Sequence, residues 1–192
     1  MANVAMHRDK LIQSAIRLFR EKGYAASGLS EILKLSGAPK GSLYYYFPGG
    51  KEELAAAALE GAGTVVAKTL RTLAADADTP AAFVSAYCKL LAGWMEASNF
   101  RAGCPITTTI LETVPQNPRL ATLARQVFAS WQGIIASVYV DGGMDEESAH
   151  QQAGFVIAAI EGALIQSRVE ASALPIERVC RRLTGPGNTC YR

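Results

Sequence analysis

The sequence predicts an all-α chain, a module of short helices followed by a larger helical bundle. Three observations predict it. Apolar residues recur at spacings of three and four in segment after segment, the period of an amphipathic helix. Gly and Pro punctuate the ends of those segments. No convincing strand or internal repeat appears between them. With 192 residues and 49% of them hydrophobic, the chain can bury one substantial core, or a small module packed on a larger one.

The elements follow in order. Ile12, Ala15, Ile16 and Phe19 share one helical face, with Leu11 and Leu18 beside it, and Gly23 is the expected C-terminal cap. A short second helix is expected after Ser27, read as its N-cap, with Leu29, Ile32 and Leu33 inward. Gly37 breaks the chain. Pro39 sits in the first turn of a third short helix that runs through Leu43 to Phe47, and Pro48-Gly49-Gly50 ends it. An Ala-rich helix covers Lys51 to about Leu73, with Gly61 and Gly63 as candidate bends. Thr79-Pro80 opens a helix carrying Phe83, Tyr87, Leu90, Leu91 and Trp94. Cys104 to Val114 is shorter, and Asn117-Pro118 opens another with Leu120, Leu123, Val127, Trp131 and Ile134. After the Asp141-Gly142-Gly143 turn, Asp145-Glu146-Glu147 suits the positive end of a helix that runs to about Ser172. Pro175 opens a last helix to about Leu183. The expected organisation is a module at 1–51, a bundle at 52–184 and a frayed tail at 185–192.

Composition excludes several classes. Only 19% of residues are charged, too few for a disordered polyelectrolyte. No stretch is long and apolar enough to span a membrane, and the first ten residues lack an apolar signal region, so no membrane partner and a cytoplasmic location are expected. Cysteines at 88, 104, 180 and 190 form no C-x-x-C pair and only His7 and His150 accompany them, so neither a metal nor another cofactor is expected. No nucleophile elbow or phosphate-binding glycine loop is present, which argues against an enzyme. The charge is unevenly spread. Residues 1–51 hold eight Lys or Arg against three acids, whereas the remainder holds eleven against fourteen. A basic first quarter on a mildly acidic body points that quarter at a polyanion.

Two short helices joined by a tight glycine turn, behind an amphipathic helix, form a candidate helix-turn-helix. Leu43 and Phe47 can anchor the third helix, leaving Lys40, Gly41, Ser42, Tyr44, Tyr45 and Tyr46 mainly on other faces. Lysine attracts phosphate. Gly41 lets backbone approach base edges. A tyrosine offers its ring to a thymine methyl and its hydroxyl to a phosphate. Three adjacent tyrosines are hard to bury, since each hydroxyl needs a partner. The blander alternative is a packing helix with a wet tyrosine edge.

The stretches Ser30-Glu31-Ile32-Leu33-Lys34-Leu35-Ser36, Lys40-Gly41-Ser42-Leu43-Tyr44-Tyr45-Tyr46-Phe47 and Lys51-Glu52-Glu53-Leu54 closely resemble the DNA-binding signature of the TetR family. Phe47-Pro48-Gly49-Gly50-Lys51 and Gly103-Cys104-Pro105 are similar to its LmrA/YxaF subgroup. The resemblance implies a TetR-like fold and a role for each matched residue. Ser27 would bond a phosphate. Lys40, Gly41 and Ser42 would face base edges or phosphate. Tyr44 and Tyr45 would contact base methyls and backbone, and Tyr46 and Lys51 would clamp phosphates. The chain departs from the family pattern with Pro39 where Ser is frequent, Tyr46 where His is common, and one extra residue between Phe47 and Lys51.

The body carries the remaining expectations. Between Ala153 and Ile165 the chain is apolar on nearly all helical faces, which predicts burial. Gly154, Ala158 and Gly162 form a small-residue stripe that, with Ile165, would permit close helix approach in a homodimer, although the same stripe could pack within one subunit. Two recognition helices related by symmetry read a palindromic operator in double-stranded DNA better than one. Glu161 interrupts the run and needs a partner. Tyr87, Trp94, Phe128, Trp131 and Phe155, with Thr107 and Thr108, could line a cavity for a small apolar effector, aromatic compounds included, or simply form core. The expectation is a repressor released by such a molecule. The alternative is a thiol-based redox regulator using Cys104 or Cys190.

Overall fold

The computed structural model describes residues 2–185. Among them the chain forms α1 (Ala2–Lys22), α2 (Leu29–Ser36), α3 (Lys40–Tyr46), α4 (Gly50–Ala75), α5 (Pro80–Ala97), α6 (Pro105–Thr113), α7 (Pro118–Asp141), α8 (Glu146–Glu170) and α9 (Leu174–Thr184), with no strand among the described residues. The tail expected beyond Gly185 lies outside the described residues. Two compact units result. Among the described residues the first comprises 2–65 and 104–127, the second 66–103 and 128–185. The first unit therefore continues past residue 51 into α4 and also takes in α6 and the first half of α7.

The first unit closes around Leu11, Ala15, Phe19, Ile32, Leu43, Phe47, Leu54 and Leu120, all essentially inaccessible. The i, i+4 spacing of Leu11, Ala15 and Phe19 places them on one face of α1, while Leu43 and Phe47 repeat that spacing on α3. Burial of such side chains contributes roughly 1.5–3 kcal/mol each before cavity terms. This lets helices of only eight and seven residues persist, since neither length is stable alone.

α4 runs unbroken through Gly61 and Gly63. Gly63 serves close approach instead. A Cβ there would lie 2.7 Å from Val127 Cγ2 of α7, too near to fit.

In the second unit α5 packs on α9, α9 on α8, and α5 on α8. Phe83, Val84, Leu91, Met95, Val156, Ile160 and Ile176 are buried in it. Its helix starts follow the sequence signals. Thr79 accepts the Ala82 N–H at 3.1 Å with Pro80 in the first turn, and Asp145 accepts the Ser148 N–H at 3.0 Å. Gln132 of α7 donates to the His150 carbonyl at 2.9 Å, joining α7 to the first turn of α8.

Helix α8 is not buried all round. Phe155 is 52%, Ile165 50% and Val169 82% exposed, and Ala158 is exposed between them. These residues, with half-buried Gly162, recur at alternating steps of three and four, so they share one stripe on the outer face of α8. Hydropathy alone predicted burial because Ala153, Val156 and Ile160, on the opposite face, are equally apolar and do face the core.

Candidate nucleic-acid interface

The helix-turn-helix is built from α1, α2 and α3. Gly37, at φ 63°, caps α2 and donates its N–H to the Leu33 carbonyl at 3.1 Å. Ser36 Oγ donates to the same carbonyl at 2.9 Å and accepts the Ala38 N–H at 3.1 Å. These bonds satisfy the turn's polar groups locally and fix where α3 begins. Leu43 and Phe47 anchor α3, and the Arg8 guanidinium stands 5.8 Å from the Phe47 ring centroid.

The opposite face of α3 is open to solvent. Tyr45 is 73% and Tyr44 57% exposed, Lys40 is exposed, and a Cβ at Gly41 would meet nothing within 4 Å. Tyr46 is half-buried and packs against the core, its ring edge-on to Tyr45 at 4.9 Å and to Phe47 at 6.4 Å. Ser42 Oγ donates to the Pro39 carbonyl at 2.6 Å, so its hydrogen stays within the first turn.

Two expected contacts are placed differently. Ser27 is fully buried, and its hydroxyl donates to the Gly23 carbonyl at 2.7 Å. The N-cap of α2 is Gly28. As it stands, Ser27 holds the α1–α2 loop and offers nothing to an outside phosphate, because its side chain turns back under the loop. Lys51 Nζ donates to the Ala25 carbonyl at 3.2 Å and lies 4.5 Å from the Tyr24 ring centroid. Burial lowers its pKa, with the Glu112 carboxylate opposing. Reaching a phosphate would require leaving those partners.

Sequence reasoning missed Glu112. From the end of α6 its carboxylate accepts the Ala25 N–H. Gly23, at φ 84°, passes so close that any Cβ there would overlap the same carboxylate. Tyr24 packs on Phe19 at 5.6 Å, and burial, with Glu52, raises its pKa. Lys22 pairs with Glu31 across the loop. The sequence carried no signal for Glu112 beyond an acid near the end of a short helix, which ordinarily means a solvated edge.

The aromatic set lies in the second unit, whereas the two threonines expected beside it lie in the first. Tyr87 is buried and stacks on Phe83 at 6.5 Å, buried Trp131 meets Phe128 edge-on at 5.4 Å, and Trp94 is half-buried, all in the second unit. Phe155 is more than half exposed and belongs to the outer stripe of α8, in register with Ala158 and Gly162, rather than among the buried aromatics. Thr107 and Thr108 are half-buried in the first unit, and Thr108 Oγ1 donates to the Cys104 carbonyl at 2.9 Å. Gly154 also moves. A Cβ there would meet Gln132 Nε2 at 3.2 Å, so Gly154 faces α7 of its own chain, whereas Gly162 has nothing within 4 Å.

A short, solvent-facing helix seated on two core anchors behind a hydrogen-bonded glycine turn defines a DNA-binding regulator of the helix-turn-helix class. Residues 11–58 match the model of the bacterial regulatory proteins of the tetR family, and residues 80–182 that of the LmrA/YxaF-like transcriptional regulator C-terminal domain. The chain belongs to the TetR family of transcriptional regulators, in its LmrA/YxaF-like branch. It is 32% identical over 176 residues to the uncharacterized HTH-type transcriptional regulator YxaF of Bacillus subtilis, covering 92% of each chain. Among solved structures, the regulatory protein TetR from Rhodobacter sphaeroides superposes with a TM-score of 0.84 at 24% identity, covering 92% of this chain and 96% of that one. A TetR transcriptional regulator from Chloroflexus aurantiacus gives 0.81 at 28% identity, covering 96% and 95%. These matches are regulators rather than enzymes, and no described helix is long and apolar enough to cross a membrane.

Proposed function

We propose that this regulator is a repressor that binds a palindromic operator as a homodimer and is released by a small, mostly apolar molecule, with an aromatic compound the best match. The observation that carries the dimer is the outer stripe of α8, with Phe155, Ala158, Ile165 and Val169 exposed and Gly162 opening space among them. Large apolar side chains in register on one helix face are the surface that a second copy of the same helix would cover. On each copy Lys40, Gly41, Ser42, Tyr44 and Tyr45 would meet the major groove and its phosphates, with Tyr46 at the edge. Lys51 would join them only after releasing Ala25. For the effector, Tyr87, Trp94, Phe128 and Trp131 supply apolar lining in the second unit. Its binding would favour a conformation with the wrong half-site spacing.

The test uses the full chain and a labelled fragment of its own promoter. Binding should follow the dimer concentration. Apolar aromatic compounds should quench the two tryptophans at the concentrations that release DNA, with a 5- to 150-fold loss of affinity for about 1–3 kcal/mol of coupling. Monomeric binding, or quenching without release, would sink the respective half of the reading.

A second reading rests on Arg20. Its half-buried guanidinium interacts with Cys104, which is half-exposed at the N-cap of α6. A cation and a helix N-terminus together favour a thiolate. DNA release by oxidant, abolished in Cys104→Ser, would select this thiol reading. Cys190, its other candidate, lies outside the described residues.

A further inference from the structure

Two other thiols meet in the second unit. Cys88 lies on the inner face of α5 between Val84 and Leu91, one turn to either side, and is 3% exposed. Cys180 occupies the matching place on α9 between Ile176 and Leu183, with one edge open to solvent. α5 and α9 pack together, and the Cys88 and Cys180 side chains are near enough to interact across that contact. Neither is in a disulfide. Tyr139 of α7 stands beside Cys88 with its hydroxyl bonded to Gln152 of α8, so the surroundings of the pair are otherwise satisfied. Two cysteines filling a core would need only apolar neighbours. Here the two thiols are each other's polar neighbours across the helix contact, and one of them reaches water.

We propose that Cys88 and Cys180 are a reversible disulfide site, closed by hydroperoxides, that staples α9 to α5. Cys180 is the entry thiol because it has the solvent edge. Its sulfur attacks the O–O bond of the hydroperoxide, giving a sulfenic acid and releasing the alcohol, or water from hydrogen peroxide. Cys88 then attacks the sulfenic sulfur, its proton leaves with the departing hydroxide as water, and the S–S bond forms. In sum two thiols give up two electrons and two protons, and the peroxide oxygen pair takes them. Burial, with the neighbouring Cys180, pushes the Cys88 thiol up to about 12. It therefore stays protonated at rest and reacts only as a resolving partner. Closing the bond draws the sulfurs to about 2 Å and fixes the register of the two helices.

The experiment treats the reduced full-length protein with a slight excess of tert-butyl hydroperoxide, blocks remaining thiols with N-ethylmaleimide and maps peptides without reduction. The expected product is an intramolecular pair of peptides carrying Cys88 and Cys180, lighter by two hydrogens and separated by dithiothreitol. Oxidised wild-type protein should also melt several degrees higher than reduced protein, and neither Cys88→Ala nor Cys180→Ala should show that rise. Peroxide consumed at Cys104 or Cys190, while Cys88 remains alkylatable after unfolding, would overturn the proposal. So would a Cys180 linked only between chains. The peptide map of the wild-type chain decides even if a variant folds poorly.

Discussion

The carboxylate of Glu112 accepts the backbone N–H of Ala25, from which it is separated by 87 positions in sequence. The carbonyl of the same Ala25 accepts Lys51 Nζ at 3.2 Å, so one residue of the α1–α2 loop is held on both sides, by α6 and by α4. Gly23 leaves room for the carboxylate by lacking a Cβ. Glu112→Ala should therefore loosen the loop at a cost of about 1 kcal/mol, below the roughly 1.5–3 kcal/mol of a charge-assisted bond because the site is exposed. Gly23→Ala should cost more than about 1 kcal/mol, from its positive φ and from overlap with Glu112. In the double variant the overlap is gone, so thermal melts of the four proteins should give a sum smaller than the two single losses. Strict additivity would show that the carboxylate moves aside freely.

Tyr45 touches little of its own chain, and its substitution tests reading apart from folding. Tyr45→Ala should leave the melting temperature within the roughly 0.5 kcal/mol range of surface changes. It should weaken operator binding and blur preference at one base position, at about 1–3 kcal/mol. Lys40→Ala should instead weaken all sequences alike and lower the slope of log K against log salt by about one. Anisotropy titrations at several salt concentrations distinguish the two, and an unchanged slope for Lys40→Ala removes that residue from the phosphate contacts.

Gly162 faces open space within the chain. Gly162→Leu should therefore leave the secondary structure of each chain unchanged while weakening self-association by about 1–3 kcal/mol, the usual cost of overpacking. Sedimentation over a concentration series reads this directly. An unchanged dimer would place the interface on another face.

Asp145 caps α8 through Ser148, and those hydrogen bonds hold its carboxyl below the usual carboxylate range. A depressed carboxylate stabilises the fold fully above its unfolded-state value, and that contribution fades as pH falls through the folded-state value. Asn at this position keeps the cap without the proton. The melting temperature of wild-type protein should exceed that of Asp145→Asn most near neutrality, and the gap should narrow toward acid. A gap independent of pH would show that the charge contributes nothing there.

Local signals carried most of the fold. Thr79-Pro80, Asp145 and Gly37 act as caps, and the apolar faces of α1 and α3 are buried where their spacing placed them. Long-range relations were not legible. Ser27 looked like a cap because Ser commonly is one, yet the loop turns its hydroxyl inward to Gly23. Phe155 looked like pocket lining because hydropathy does not tell an outward stripe from an inward one; its register with Ala158 and Gly162 does. Glu112, and the meeting of Cys88 with Cys180, depend on helix pairs that nothing local in the sequence encodes.

The seven-residue α3 has a consequence for divergence. Leu43 and Phe47, with Tyr46 packed beside them, hold the helix, while Lys40, Gly41, Tyr44 and Tyr45 are exposed on its other side. Positions that read are thus nearly independent of positions that hold. A duplicated copy of this gene could drift through many operator preferences with little loss of stability, because the residues that would change are the ones whose replacement the scaffold does not feel.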